Sequence, residues 1–150
     1  MRVRLTDPLG RITERTLDVP VVPPMPPPDI TDPTLTTVAG GTILAFTTTV
    51  PDTAAGSGPY RIEVTFRPST GRLVRGGENL AAIPLVKRNE DIFADPGEVI
   101  PIRRTRRSLG VTSIAVGIRR AGTVTVAIVA PDGQTASVNR RIVGRILRFP

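Results

Sequence analysis

The sequence predicts an all-β protein, a two-sheet antiparallel sandwich preceded by a β-hairpin on a proline-rich tether. Three observations carry that expectation. Apolar residues recur with a period of two, as strands with one buried and one wet face require. Turn-forming residues separate those runs at short intervals, in the manner of a sandwich. Sixteen prolines and 14 glycines among 150 residues leave little room for long helices. The length suits one domain with an appendage and is enough for a core without disulfides.

Residues 1–19 read as a hairpin arm. Val3 and Leu5 alternate with polar residues, Asp7-Pro8-Leu9-Gly10 has turn chemistry, and Arg11 to Val19 returns. A two-stranded ribbon is marginal in water. Val3, Leu5, Leu17 and Val19 are therefore expected to bury against something else: the rest of the chain, a neighbouring subunit or another domain. Residues 20–33 read as a linker, with six prolines between Pro20 and Pro28. At about 3.1 Å per residue, nine residues of polyproline II span about 28 Å, enough to carry the hairpin onto a neighbour.

Residues 34–143 hold the sandwich, and 144–150 a C-terminal tail. Tyr60 to Arg67 alternates without exception, with Ile62, Val64 and Phe66 on the buried face. Thr42 to Val50 places Leu44, Phe46 and Val50 opposite a threonine-rich face. Val111 to Ile118 and Thr123 to Ala130 gather Ile114, Val116, Ile118 and Val124, Val126, Ile128, the pattern of central strands. Weaker runs are Thr34 to Val38, Ile83 to Val86, Val99 to Arg103 and Thr135 to Val143. Pro84 and Pro101 direct two of these to sheet edges or bulges. Loops are expected at Asp52–Pro59, Pro68–Arg72, Gly76-Gly77, Arg88–Gly97 and Pro131–Gln134, and a single helical turn at Glu78–Ile83.

The two ends of the chain repeat. Val3-Arg4-Leu5-Thr6-Asp7-Pro8-Leu9-Gly10-Arg11 aligns at constant offset with Val126-Ala127-Ile128-Val129-Ala130-Pro131-Asp132-Gly133-Gln134, with Val, Pro and Gly coincident and Leu5 matching Ile128. The alignment reads residues 1–19 as the closing hairpin of a preceding module or as a piece imitating one.

These residues also carry a resemblance. Gly122 to Ser137, a glycine before an alternating strand followed by a Pro-Asp-Gly turn into a last strand, resembles the final hairpin of bacterial and phage fibronectin type III or immunoglobulin-like modules. Pro26-Pro27-Pro28 is similar to the proline lead-in of their first strand, and Tyr60 to Phe66 to their third. The chain departs from the family in having no Trp for the second strand and no Tyr between Val124 and Ile128. Either the likeness is architectural, or the core is rebuilt with aliphatics. The resemblance implies a spacer, attachment or protein-contact role and no catalysis.

Composition excludes much chemistry. With no Cys and no His there is no disulfide, no Cys or His metal site, no catalytic triad containing His and no thiol nucleophile. Glu90, Asp91, Asp95 and Glu98 crowd one loop but lack the spacing of a calcium site, and Gly56-Ser57-Gly58 lacks the strand-turn-helix setting of a nucleophile elbow. No catalytic residue, cofactor or metal is expected. The net charge is +7, and 19 of the 20 basic residues are arginine. Arg103, Arg104, Arg106, Arg107, Arg119 and Arg120, with Arg140 and Arg141, are the candidates for a surface that a polyanion or an acidic partner would meet; the alternative is that adjacent arginines point in opposite directions and stay solvated as separate pairs. The shortage of aromatic stacking platforms makes nucleic acid the less favoured partner.

No signal peptide or membrane-spanning run is visible. The expected role is that of a non-enzymatic structural subunit, assembled in the cytoplasm or part of a virion or extracellular particle: a phage tail, a virion or a contractile injection system. It would join other protein subunits, as homo- or hetero-oligomer, through its N-terminal arm. The alternative is a recognition module for an anionic polymer or glycan, nucleic acid or cell-surface polysaccharide.

Overall fold

A computed structural model describes residues 2–16, 26–50, 60–93, 100–108 and 111–144, giving backbone but not side chains for residues 89, 90 and 106–108. Leu17, Val19, residues 20–25, the loop 51–59, and Asp95 and Glu98 lie outside them. The described chain forms ten strands: β1 (Arg2–Thr6), β2 (Ile12–Thr16), β3 (Thr31–Val38), β4 (Gly41–Thr48), β5 (Arg61–Pro68), β6 (Val74–Asn79), β7 (Ile102–Ser108), β8 (Val111–Ile118), β9 (Gly122–Val129) and β10 (Thr135–Ile142), with two 3-10 turns at Leu80–Ala82 and Asn89–Phe93. All strand pairing is antiparallel.

β1 and β2 pair only with each other. The remaining strands make two four-stranded sheets, ordered β3-β4-β8-β7 and β10-β9-β5-β6. The alternation of β5 is realised as read: Ile62, Val64 and Phe66 are buried and Arg61, Glu63 and Arg67 exposed. In register, Val64 lies opposite Val126, and Phe66 opposite Val124. These side chains meet Leu44, Phe46, Ile114, Val116 and Ile118 from the other sheet in one core. β8 and β9 are interior strands of their sheets, as their apolar runs require.

The first sheet begins at Thr31, inside the stretch read as linker. Its edge strand β3 is broken by a bulge at Asp32-Pro33, where the register shifts and Asp32 takes φ 51°. A proline has no N–H for the ladder, so a bulged edge strand is where one fits. Asp29 anchors the lead-in, its carboxylate accepting from the Thr48 hydroxyl (3.1 Å), the Thr49 N–H (2.9 Å) and the Thr49 hydroxyl (2.8 Å). Tyr60, the single tyrosine, is fully buried and donates its hydroxyl to the Pro26 carbonyl at 2.6 Å. Burial, reinforced by the charge of Asp132, pushes its phenol above the ordinary range.

Two readings are corrected. Gly76 and Gly77 form no loop; they lie inside β6, opposite Val64 and Glu63. Ile83 to Val86 is no strand; Leu85 makes one parallel bridge to Arg104 on the β7 edge. The threonine-rich face of β4 is covered at Ile43, which packs in a second small core with Ala115 and Ile92, flanked by Val38, Ala45, Val86 and Phe93. The β6–β7 crossover thus lies over the outer surface of the first sheet, which is why both faces of β8 are buried. Small residues make room for it. A Cβ on Gly117 would lie 2.8 Å from atoms of Phe93 and Pro101 and 2.9 Å from Ile92.

Candidate interaction surfaces

The hairpin β1–β2 is closed by Asp7. Its N–H donates to the Arg11 carbonyl (2.9 Å) and its carbonyl accepts from Gly10 N–H (3.0 Å). Its carboxylate accepts from the N–H groups of Leu9 (3.0 Å) and Arg11 (2.8 Å) and from the Arg11 guanidinium (2.6 Å). Those donors, the Arg11 N–H foremost, hold the Asp7 carboxyl below its ordinary value. The strands bury almost nothing. Val3 is half-buried, while Leu5 is 66% and Ile12 51% exposed.

The turn and register of this hairpin recur in β9–β10. Ala130 N–H donates to Gln134 O (2.8 Å) and Gly133 N–H to Ala130 O (3.0 Å), residue for residue the bonds of Asp7, Arg11 and Gly10. Gly10 at φ 79° and Gly133 at φ 90° occupy the same left-handed position, which disfavours any residue with a Cβ. Val3 pairs with Arg15 as Val126 pairs with Val138, and Leu5 with Thr13 as Ile128 with Ala136. The repeat seen in the sequence is therefore a repeat in space. Its environments differ entirely: Val126 and Ile128 are 0% exposed.

The arginines read as one surface are dispersed. Arg103 and Arg104 sit opposite Ala115 and Ile114 and so take opposite faces of β7. Arg104 is structural: its Nε donates to Ile83 O (3.0 Å), and its backbone bonds Pro84 and Val86. The side chains of Arg106 and Arg107 are outside the description. Arg119 stacks over Phe93, 5.5 Å from the ring centroid, and Arg120 is exposed beside it in the β8–β9 turn.

A different basic surface emerges on the outer face of the second sheet. Arg67 and Arg141 both lie opposite Thr123, and Arg75 lies opposite Thr65 one row away. Adjacent strands stand about 4.8 Å apart, which puts Arg67 and Arg141 about 10 Å apart across Thr123. Glu63 is the one carboxylate on that face among the described strand residues. The alternation of β5 pointed Arg67 outward, but only the register aligns it with Arg141.

A cleft of about 210 Å³ opens at the same end of the body, between the β3–β4 turn, the β8–β9 turn and the end of β10, with Thr37, Thr42, Arg119 and Arg120 on its wall. Among the described residues no three acidic, His or Cys side chains gather as a metal site would need, and no helix is long and apolar enough to cross a membrane. No protein-family model matches the chain, and no curated protein or solved structure is significantly similar to it.

Proposed function

We propose that this protein is a non-enzymatic structural module, an immunoglobulin-like sandwich of the fibronectin type III kind that joins neighbouring protein subunits through β1–β2 in a particle such as a phage tail, virion or contractile injection system. Lettered in chain order from β3, the two sheets run A-B-E-D and G-F-C-C′, the arrangement of immunoglobulin-like sandwiches. The observation that carries the assembly role is the hairpin itself: a formed ribbon whose Leu5 and Ile12 face solvent, where a lone ribbon lacks the apolar contacts to stay folded. Docking on another subunit supplies them.

Deleting residues 1–25 from a tagged chain, which leaves the Tyr60–Pro26 bond in place, followed by size fractionation from the cells that make it, tests this. The expected result is a folded body that leaves the large particle fraction. A deletion that still assembles, or one that cannot fold, rejects the role.

Arg67, Arg75 and Arg141 favour the second reading, a recognition module for an anionic polymer or glycan. Guanidinium groups on a flat threonine-rich sheet suit sulfate or phosphate oxygens. Retention on immobilised heparin that falls steeply with salt, and falls further in Arg67→Ser/Arg141→Ser, would support that reading over the first.

A further inference from the structure

The repeat shows what covers a hairpin of this kind. In β9–β10 the inward residues Val126 and Ile128 close the core, and the free side of β9 pairs with β5 from Arg61 to Pro68. We infer that β1–β2 is the closing hairpin of a second sandwich of this architecture, one carried by a neighbouring subunit that lacks its own β9–β10 counterpart. The inference rests on the assembly reading above and specifies its partner.

The geometry fixes how the two would meet. Because Asp7 bonds across the hairpin and antiparallel bonding alternates, Leu5 and Val3 direct their N–H and C=O groups to β2, and Thr6, Arg4 and Arg2 direct theirs to the open edge. Their counterparts Val129, Ala127 and Thr125 lie opposite Arg61, Glu63 and Thr65 of β5. The partner strand therefore runs antiparallel to β1. It turns its apolar face toward Val3 and Leu5, and a carboxylate placed like Glu63 would lie beside Arg4. A second copy of this chain does not offer that place, since its own β9–β10 fills it. The hairpin is also too polar to displace it: Arg15 stands where β10 has Val138, and Thr13 where it has Ala136. On the outermost strand a long Arg15 side chain can lie along the apolar surface with its charge in water.

The test places a photo-cross-linking amino acid at Thr6, Arg4, Leu5 or Ile12 of the full chain, in the cells that assemble it, and identifies the joined peptides by mass spectrometry. Positions 6 and 4 are expected to join one strand of another subunit, the attachment site moving two residues toward that strand's C-terminus from position 6 to position 4. Position 5 is expected to reach that subunit's apolar core strands, and position 12 to reach neither. Arg4→Pro removes an N–H facing the open edge and none used within the hairpin, so it should lower the yield from position 5 by about tenfold, the equivalent of one or two hydrogen bonds. Attachment to another subunit without the antiparallel march overturns this inference and leaves the assembly reading standing. Attachment to a copy whose β9–β10 is in place likewise overturns this inference alone, whereas attachment to residues 26–144 of the same chain, or to no protein, overturns both.

Discussion

One hairpin occurs twice in this molecule, built on the same turn and register and placed in opposite surroundings. β9–β10 is pinned on one side by β5 and on one face by the opposing sheet, and its Val126 and Ile128 are fully buried. β1–β2 carries Val3 and Leu5 at those positions with no such cover, and Leu5 stays largely in water. Local sequence is enough to set a turn and a pairing register. Which hairpin becomes part of a cooperative core is decided by the strands beside it.

The comparison is broken most severely by charge. Val126→Asp puts a carboxylate in the closed core and is expected to cost about 4 kcal/mol or more, enough to unfold the body, whereas Val3→Asp should change its stability by less than about 0.5 kcal/mol. Thermal unfolding of both variants measures it; equal losses would mean that the two hairpins share one core. A smaller effect comes from the turns. Alanine at the left-handed position costs about 1 kcal/mol. Gly133→Ala should therefore lower global stability, while Gly10→Ala should reduce amide protection in β1–β2 alone, as hydrogen exchange would report.

The smallest expected effect separates the turns by pH. β9–β10 has Ala130 where β1–β2 has Asp7, so only the β1–β2 turn is tied by a carboxylate at that position. Its folded value lies below the ordinary 3.8, so the stabilisation is complete above about that pH and is lost as pH falls through the lower folded value. In an NMR titration from pH 6 to 2, the β1–β2 amides should lose dispersion in step with Asp7 protonation while those of β9–β10 hold.

Much of the fold was legible because strands buried on one face announce it. Ile62, Val64 and Phe66 could lie on no other side of β5, and the apolar runs of β8 and β9 marked interior strands. What was not legible depended on partners distant in sequence. Gly76 and Gly77 read as a turn because nothing in their own residues shows that β5 lies beside them. The burial of Ile43 could not be read because its cover, Ile92, comes from a crossover with no periodicity. At the surface, adjacent arginines such as Arg103-Arg104 look like a patch in sequence and part to opposite faces in a strand, whereas Arg67 and Arg141, far apart in sequence, are brought into one row by register.

The positions of Pro26 and Gly144 bear on how the body responds to tension. Pro26 is held by Tyr60 at the start of β5, and Gly144 lies against Ala121 beyond the opposite ends of β9 and β10, so the chain joins the body at its two poles. A pull between those poles runs along β3 and β10, parallel to the strands and perpendicular to the bonds that tie β3 to β4 and β10 to β9. Such a load shears many bonds together and cannot peel them one at a time. A body threaded this way is expected to resist a pull between those poles better than a pull across its strands.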